Sequence, residues 1–216
     1  MSTTLALTGS NLCGDAAFSA ALARGGEVTV RSAPRGARGD LTQLCQELCA
    51  SAGVAPSALD RLVLDVGPGS YTGLRVAVTF ARMLQRFSGV EVEGVCSLAL
   101  LARHAAASAT APVRTLLDAR RGRLHTALHR HADGATRELE AARAAPTDEV
   151  LDALTPDVVL VAPTALAERL ADERGLACVA AEGLTAAALL AEGLPRFPAP
   201  AEALEPRYLM ASYAED

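Results

Sequence analysis

The chain is 216 residues long and half hydrophobic, enough for one sizeable core or two small ones. Its formal charge of −5 lacks the basic face that autonomous nucleic-acid binding requires, although a place in a complex whose other members hold RNA stays open. All 20 basic residues are arginine, which excludes lysine Schiff bases, phosphate-loop lysines and Ser-Lys dyads, and 3% aromatic content without tryptophan argues against base-stacking platforms.

The N-terminal MSTTLALTGS has no basic region and too short an apolar run for a secretory signal. No 18-residue apolar stretch is free of charge, so no membrane span is expected and a cytoplasmic location is. Residues 4 to 9, TLALTG, predict a buried strand. AAFSAALA and GGEVTVRSA predict a hairpin turning at Gly25-Gly26. DLTQLCQELCASAG predicts a helix: Asp40 caps it, Leu41, Leu44, Cys45 and Leu48 recur at helical spacing, and Gly53 ends it. LDRLVLDVG is the next strand and runs into a glycine-rich turn and a long helix. VEGVCS predicts a strand and LALLARHAAASA a helix.

A second unit is expected to start near Ala111-Pro112. VRTLLDARRGRLHTALHRHADG predicts two strands around Arg121-Gly122 and a further turn at Asp133-Gly134. TPDVVLVAPTALAERLADERG predicts strand then helix, GLTAAALLAEG a helix, and FPAPAEALEPRYLM a proline-rich return. The order β-β-β-α-β-α-β-α, followed by a partial echo, predicts an α/β protein of two related lobes. The expected lobes are 1–108, joined by 203–216, and 109–202. Cys13, Cys45, Cys49, Cys96 and Cys178 match no zinc spacing and are expected as small buried hydrophobes in a reducing compartment.

The run DVGPGSYTGLRVAVTFARMLQRF, residues 65 to 87, carries most information. Its glycines miss the Walker spacing, the dinucleotide fingerprint and the nucleophile elbow, and Pro68 removes one N–H. Two readings stay open. Gly67, Gly69, Ser70, Thr72 and Gly73 form either a structural turn with a helix cap or an anion contact at a helix N-terminus.

On a helical wheel Arg75, Thr79, Arg82 and Arg86 share a narrow arc, and apolar residues fill about 220° of the rest, wider than the stripe of an ordinary surface helix. Val76, Phe80, Met83 and Phe87 form a second apolar face, to be covered by another helix of this chain or by a partner subunit. Burying them would contribute roughly 1.5–3 kcal/mol each.

His125, His129 and His131 alternate along a predicted strand, read as a solvated face rather than a metal patch. Asp118, Arg120 and Arg121 build a small polar site or a hairpin turn with ion pairs. Asp15 and Asp65 stand near strand ends, where actin-like kinases keep carboxylates for magnesium. No catalytic set and no metal site is expected.

GPGSYTGLRVAV resembles the G-P-G-S-[FY]-T-G-[LV]-R signature of the bacterial TsaB (YeaZ) family, LLDARRGRLHTALH is similar to its D-A-R-x-G-E-[VI]-Y strand pair, and EPRYLM to its P-x-Y-L-R close. The resemblance implies an actin/Hsp70-like (ASKHA) two-lobe fold with mixed sheets flanked by helices. It implies a non-catalytic scaffold and activator in the transfer of threonylcarbamoyl to the adenosine next to the anticodon of ANN-decoding tRNAs, an inactive paralogue of TsaD. It further implies TsaD as direct partner, TsaE and tRNA reached through the complex, a homodimer through the same helix surface when alone, and no cofactor of its own, with ATP or ADP a candidate at the TsaD interface. The docking surface is expected at Val76, Phe80, Met83 and Phe87 with Leu41, Leu44 and Leu48. Arg75, Asp118 and Arg120 are the family-motif polar residues.

The chain departs from the pattern at its first strand, where Thr8-Gly9 replace the family's Asp-Thr, and at Arg123 and His125, which replace Glu and Tyr. The alternative from another class is an actin-like-fold hydrolase or kinase with its own active site, the old glycoprotease label included.

Overall fold

The computed structural model describes residues 2–10, 12, 14, 16–34, 41–105, 111–182 and 184–210. In chain order its elements are β1 (Thr3–Thr8), β2 (Ala16–Arg24), β3 (Glu27–Pro34), α1 (Leu41–Ser51), β4 (Arg61–Gly67), α2 (Tyr71–Ser88), β5 (Glu91–Cys96) and α3 (Ser97–Ala105). There follow β6 (Val113–Arg120), β7 (Arg123–Ala132), β8 (Ala135–Pro146), α4 (Thr147–Asp152), β9 (Val159–Pro163), α5 (Thr164–Arg174), β10 (Val179–Ala181) and β11 (Arg196–Pro198). The expected Asp40 cap lies outside the described residues.

Two compact units emerge. The first holds residues up to Ser97, with 184–192 and 196–206; the second holds 98–182, with 193–195 and 207–210. The switch therefore comes at 97/98 rather than at the expected 108/109, because α3 belongs with the second unit from Leu98 onward. The return also comes earlier than expected. β11 pairs antiparallel with β5, and Ala199 and Leu204 enter the first core.

The first sheet runs β11-β5-β4-β1-β2-β3 and the second β10-β9-β6-β7-β8. Leaving out β11, the two orders are the same, and so is the sense of every pairing: β1–β2 and β2–β3 antiparallel, β1–β4 and β4–β5 parallel, with β6 to β10 repeating the pattern. The partial echo in the predicted elements is thus a repeated topology. Strands β1 and β4 lie mid-sheet and are nearly all buried, which is why they read as continuous apolar runs; β3, at the edge, is mostly exposed.

α1 buries Leu41, Leu44, Cys45, Leu48 and Cys49 in the first core. The second core gathers Leu116, Leu124, Val150, Ala162, Leu166 and Leu170. The helix expected over 183–193 is a short 3₁₀ turn, Ala186–Leu190. Thr185 caps it by accepting from the Ala187 N–H, and the Ala186 N–H donates to Ser19 Oγ at 3.0 Å, tying the turn to β2.

β7 corrects a second expectation. His125 and His129 are buried, not solvated, and the Nδ1 atom of each has no hydrogen-bond partner. Burial pushes both imidazoles down to about 4; Asp118 opposes this at His125 while Arg123 adds to it, and Arg114 and Arg207 add to it at His129. The folded values lie below the unfolded 6.5, so the unfolded chain takes up protons first and stability falls as pH drops from 6.5 toward 4. We expect a loss of about 2 kcal/mol per histidine over that window. Urea unfolding at pH 7 and pH 4.5 should show it, and His129→Gln should remove about half.

Candidate functional site

The glycine-rich turn after β4 is occupied by its own chain. Gly67, with φ 104, starts it through a cis peptide to Pro68. Gly9 and Gly73 then meet backbone to backbone: a Cβ on Gly9 would lie 2.6 Å from the Gly73 carbonyl oxygen, and one on Gly73 would collide with the Gly9 carbonyl. A Cβ on Gly69 would collide with Ser10. These glycines are spaced for close approach of β1's end to the start of α2, not for an anion.

The donors tell the same story. The Ser70 N–H donates to Ser10 O at 3.1 Å, the Gly67 N–H to Asp65 Oδ1 at 3.0 Å, and the Gly73 N–H to Ser70 Oγ at 3.2 Å. Ser70 is thus the N-cap of α2, and Gly89 (φ 72) closes the helix at its far end. Thr72 is exposed on the first turn.

Asp65 is fully buried below the turn. Thr8 Oγ1 donates to its Oδ2 at 2.7 Å, and Ser10 Oγ donates to the same oxygen. Ser97 Oγ donates to Oδ1 at 2.5 Å, beside the Gly67 N–H. Both oxygens accept twice, so the carboxyl is fully satisfied. Burial pushes Asp65 above the usual carboxylate range, while Ser10, Ser97, Thr8 and Gly67 pull the other way. Asp65 stands at a strand end, where a magnesium carboxylate would have to be open to its ion. It is instead sealed, and it joins β1, β4 and the start of α3. The hydroxyls at Thr8, Ser10 and Ser97 went unread because each is ordinary alone. Asp15 lies outside the described residues.

α2 buries Gly73, Leu74, Ala77, Val78 and Ala81 against its own unit. Its other apolar face stays open: Val76 is 41% exposed, Met83 55% and Phe87 81%. Phe80 is half-buried and packs on the first core. An open groove along α2 is lined by Val76, Thr79, Phe80, Met83 and Arg75, with Leu41 and Thr42 on its α1 side. Arg75 donates to Tyr71 Oη at 2.7 Å, and its guanidinium lies 5.3 Å from the ring centroid. The expectation that Leu44 and Leu48 present a partner surface is overturned, while Leu41, although buried, still forms part of the groove wall. All three are buried in the first core, because the apolar stripe of α1 is only wide enough to cover its own sheet.

At the β6–β7 hairpin, Asp118 Oδ1 accepts from the Arg120 N–H at 2.7 Å and Oδ2 from Arg169 Nη1 at 3.2 Å. Of the polar residues Arg75, Asp118 and Arg120, the first belongs to the first unit and the other two to the second. Among the described residues no group of three or more His, Cys, Asp or Glu could hold a metal ion, and no helix is long and apolar enough to cross a membrane. Cys45, Cys49 and Cys96 are buried and Cys178 is half-buried, all unbridged; Cys13 lies outside the described residues.

Residues 23–157, more than half of the chain, match the family model for TsaD, tRNA N6-adenosine threonylcarbamoyltransferase. The tRNA threonylcarbamoyladenosine biosynthesis protein TsaB of Bacillus subtilis is 37% identical over 84 residues, 38% of this chain and 35% of that protein. Two solved Pseudomonas aeruginosa structures, YeaZ and a protein described as similar to peptidase YeaZ, superpose with TM-scores of 0.74 and 0.75. Each is 27% identical and covers 97% of this chain and 100% of its own. The chain belongs to this family, on its TsaB (YeaZ) branch.

An uncharacterized protein of Mycobacterium leprae is also similar, 36% identical over 99 residues, 46% of this chain. The matched stretches span only 35% and 26% of the curated relatives' own length. The two sheets with flanking helices are the actin/Hsp70-like fold of the family. That fold implies a nucleotide, and the TsaB-branch residues here do not fit one at the glycine turn. The Gly67, Ser70 and Gly73 amides are engaged within the chain, Pro68 has none, and three hydroxyls close over Asp65. No phosphate contact is therefore assigned to Gly67, Gly69, Ser70, Thr72 or Gly73. Thr8, at the first-strand position that departs from the pattern described above, donates its hydroxyl to Asp65 on the adjoining strand at 2.7 Å.

Proposed function

We propose that this chain is a non-catalytic scaffold and activator in the complex that transfers threonylcarbamoyl to the adenosine next to the anticodon of ANN-decoding tRNAs. It docks on the catalytic TsaD through α2, reaches TsaE and tRNA through that complex, and works in the cytoplasm. When TsaD is absent, the same face closes on a second copy. The chain needs no cofactor of its own, and an ATP or ADP at the shared interface would have to be held mainly by TsaD.

The observation that carries this reading is the open apolar face of α2 on a chain of this family. Val76, Met83 and Phe87 are exposed on the helix that follows the family's signature turn. Phe and Met are the types enriched at interface centres, and aromatic anchors there contribute about 2 kcal/mol or more each. The satisfied, closed Asp65 cluster supports a role without catalysis, since a group with no access to solvent or substrate moves no proton in a reaction.

The test is co-purification of the tagged chain from its native host, with tRNA threonylcarbamoyladenosine measured after depletion. Capture of TsaD and loss of the modification are expected; retention of the modification would reject the reading. Phe80 is a poor probe because it packs on the core. The exposed pair is the better one: Met83→Asp with Phe87→Asp should weaken TsaD binding at least 100-fold and leave the thermal midpoint within a few degrees. Unchanged co-purification of that variant would remove α2 from the interface.

A further inference from the structure

We propose that Arg75 is the charged anchor of the α2 docking face and pairs with a carboxylate of the partner. This deepens the reading above, in which the chain docks on TsaD through α2, and rests on it. Arg75 ends the signature run GPGSYTGLR, and an apolar contact alone gives it no task. It is exposed, and among the residues that line the α2 groove it alone is charged; the others are apolar or threonine.

Its own chain holds the guanidinium in place without neutralising it. Nη1 donates to Tyr71 Oη at 2.7 Å, and the guanidinium carbon lies 5.3 Å from the ring centroid. Both contacts leave the positive charge intact, and among the described residues no carboxylate pairs with it. α2 has no acid of its own: its charged residues are Arg75, Arg82 and Arg86. α1 carries one, Glu47, which accepts from Gln43 Nε2 at 2.9 Å. Glu202 and Glu205 follow Ala201, whose carbonyl accepts from Arg82 Nε at 3.0 Å, about two turns further along α2.

A surface that covers the groove takes Arg75 out of water as well. An unmatched charge there opposes association, and a matched one fixes the register. The planar donor fork suits a carboxylate, and a side chain already stacked on Tyr71 loses little further freedom on pairing. A second copy of this chain brings the same α2, with three arginines and no acid, so it is the poorer occupant of the face.

The experiment titrates TsaD with the full chain at about 50 and 300 mM salt, as wild type, Arg75→Gln and Arg75→Lys. Arg75→Gln should weaken binding about tenfold or more at the lower salt, flatten the salt dependence and keep the unfolding midpoint within a few degrees. Self-association of the same variant, read by sedimentation equilibrium, should be unchanged or tighter, since each copy sheds a like charge. The chain contains no lysine, so Arg75→Lys introduces its only side-chain amine. A carbodiimide should condense that amine with the facing carboxylate, with loss of water, into an amide that peptide mapping reads as position 75 joined to an Asp or Glu of TsaD.

Wild-type affinity for TsaD in Arg75→Gln would overturn the proposal. So would an equal weakening of TsaD binding and self-association, which marks a merely structural arginine, or an amide back to a carboxylate of this chain. Lost tRNA or ATP binding in a complex of wild-type affinity would overturn it too, by assigning Arg75 to a phosphate. If the wild-type chain does not bind TsaD, the functional reading falls and this inference with it; if Met83→Asp with Phe87→Asp abolishes binding while Arg75→Gln does not weaken it, only the charged anchor falls.

Discussion

Asp65→Ala is expected to cost the first unit about 3–6 kcal/mol, a large part of a domain's total of roughly 5–15. Four donors converge on this carboxylate: the Thr8, Ser10 and Ser97 hydroxyls and the Gly67 N–H. Alanine leaves all four without their acceptor. Thr8 and Ser10, 3.1 Å apart, can pair with each other. Ser97 and the Gly67 amide cannot, and each buried unmet donor costs about 1–3 kcal/mol, before the cavity is counted. Asp65→Asn should cost far less, because an amide keeps one acceptor and its NH2 can donate to hydroxyls that turn round. The raised pKa sets the pH dependence. A carboxyl raised in the folded state contributes most below its unfolded value of 3.8 and loses that contribution as pH rises through the folded value. The wild type should therefore gain on the asparagine variant as the pH falls toward 3.8. Urea unfolding of the three proteins decides the matter; a loss under 1 kcal/mol for alanine would show that the cluster holds nothing together.

Gly73→Ala is expected to cost about 3 kcal/mol or more, at the high end for a single added methyl group. The new Cβ collides with the Gly9 carbonyl, which is backbone and has no rotamer to change. Gly9→Ala meets the reciprocal carbonyl at 2.6 Å and should cost a similar amount. Both clashes are relieved by one motion, the retreat of the start of α2 from the end of β1. The double variant should therefore cost clearly less than the sum of the singles, by about 1 kcal/mol or more of coupling. Additive losses would mean that the two glycines are held by separate constraints.

Much of the architecture was legible because it rests on periodicity. The strand–helix order of the first unit, the Gly25-Gly26 hairpin and the double-faced α2 all follow from residues whose spacing admits one main reading, whereas β8, α4 and β10 of the second unit carry no such spacing. The errors share a different cause. The apolar stripe of Leu41, Leu44 and Leu48 looks the same whether it faces a core or a partner, and only the neighbouring sheet decides. His125 and His129 look solvated by polarity, yet β7 is a mid-sheet strand, so burial overrides side-chain type. The boundary at 97/98 carries no proline or glycine cluster to mark it.

At the candidate site no pattern in one chain shows that Gly9 and Gly73 touch across 64 positions. Three-dimensional neighbours also made Asp65 unreadable. Its partners at 8, 10 and 97 come from three separate segments, and none of them is unusual in composition.

The sealed carboxylate has a consequence for grafting residues into this chain. Thr8 and Asp65 face each other across adjoining strands, 2.7 Å from hydroxyl to carboxylate, with no opening to solvent. A second acid written in at position 8 would crowd two anions into that closed space. Any design that places an aspartate there must therefore neutralise position 65 in the same step.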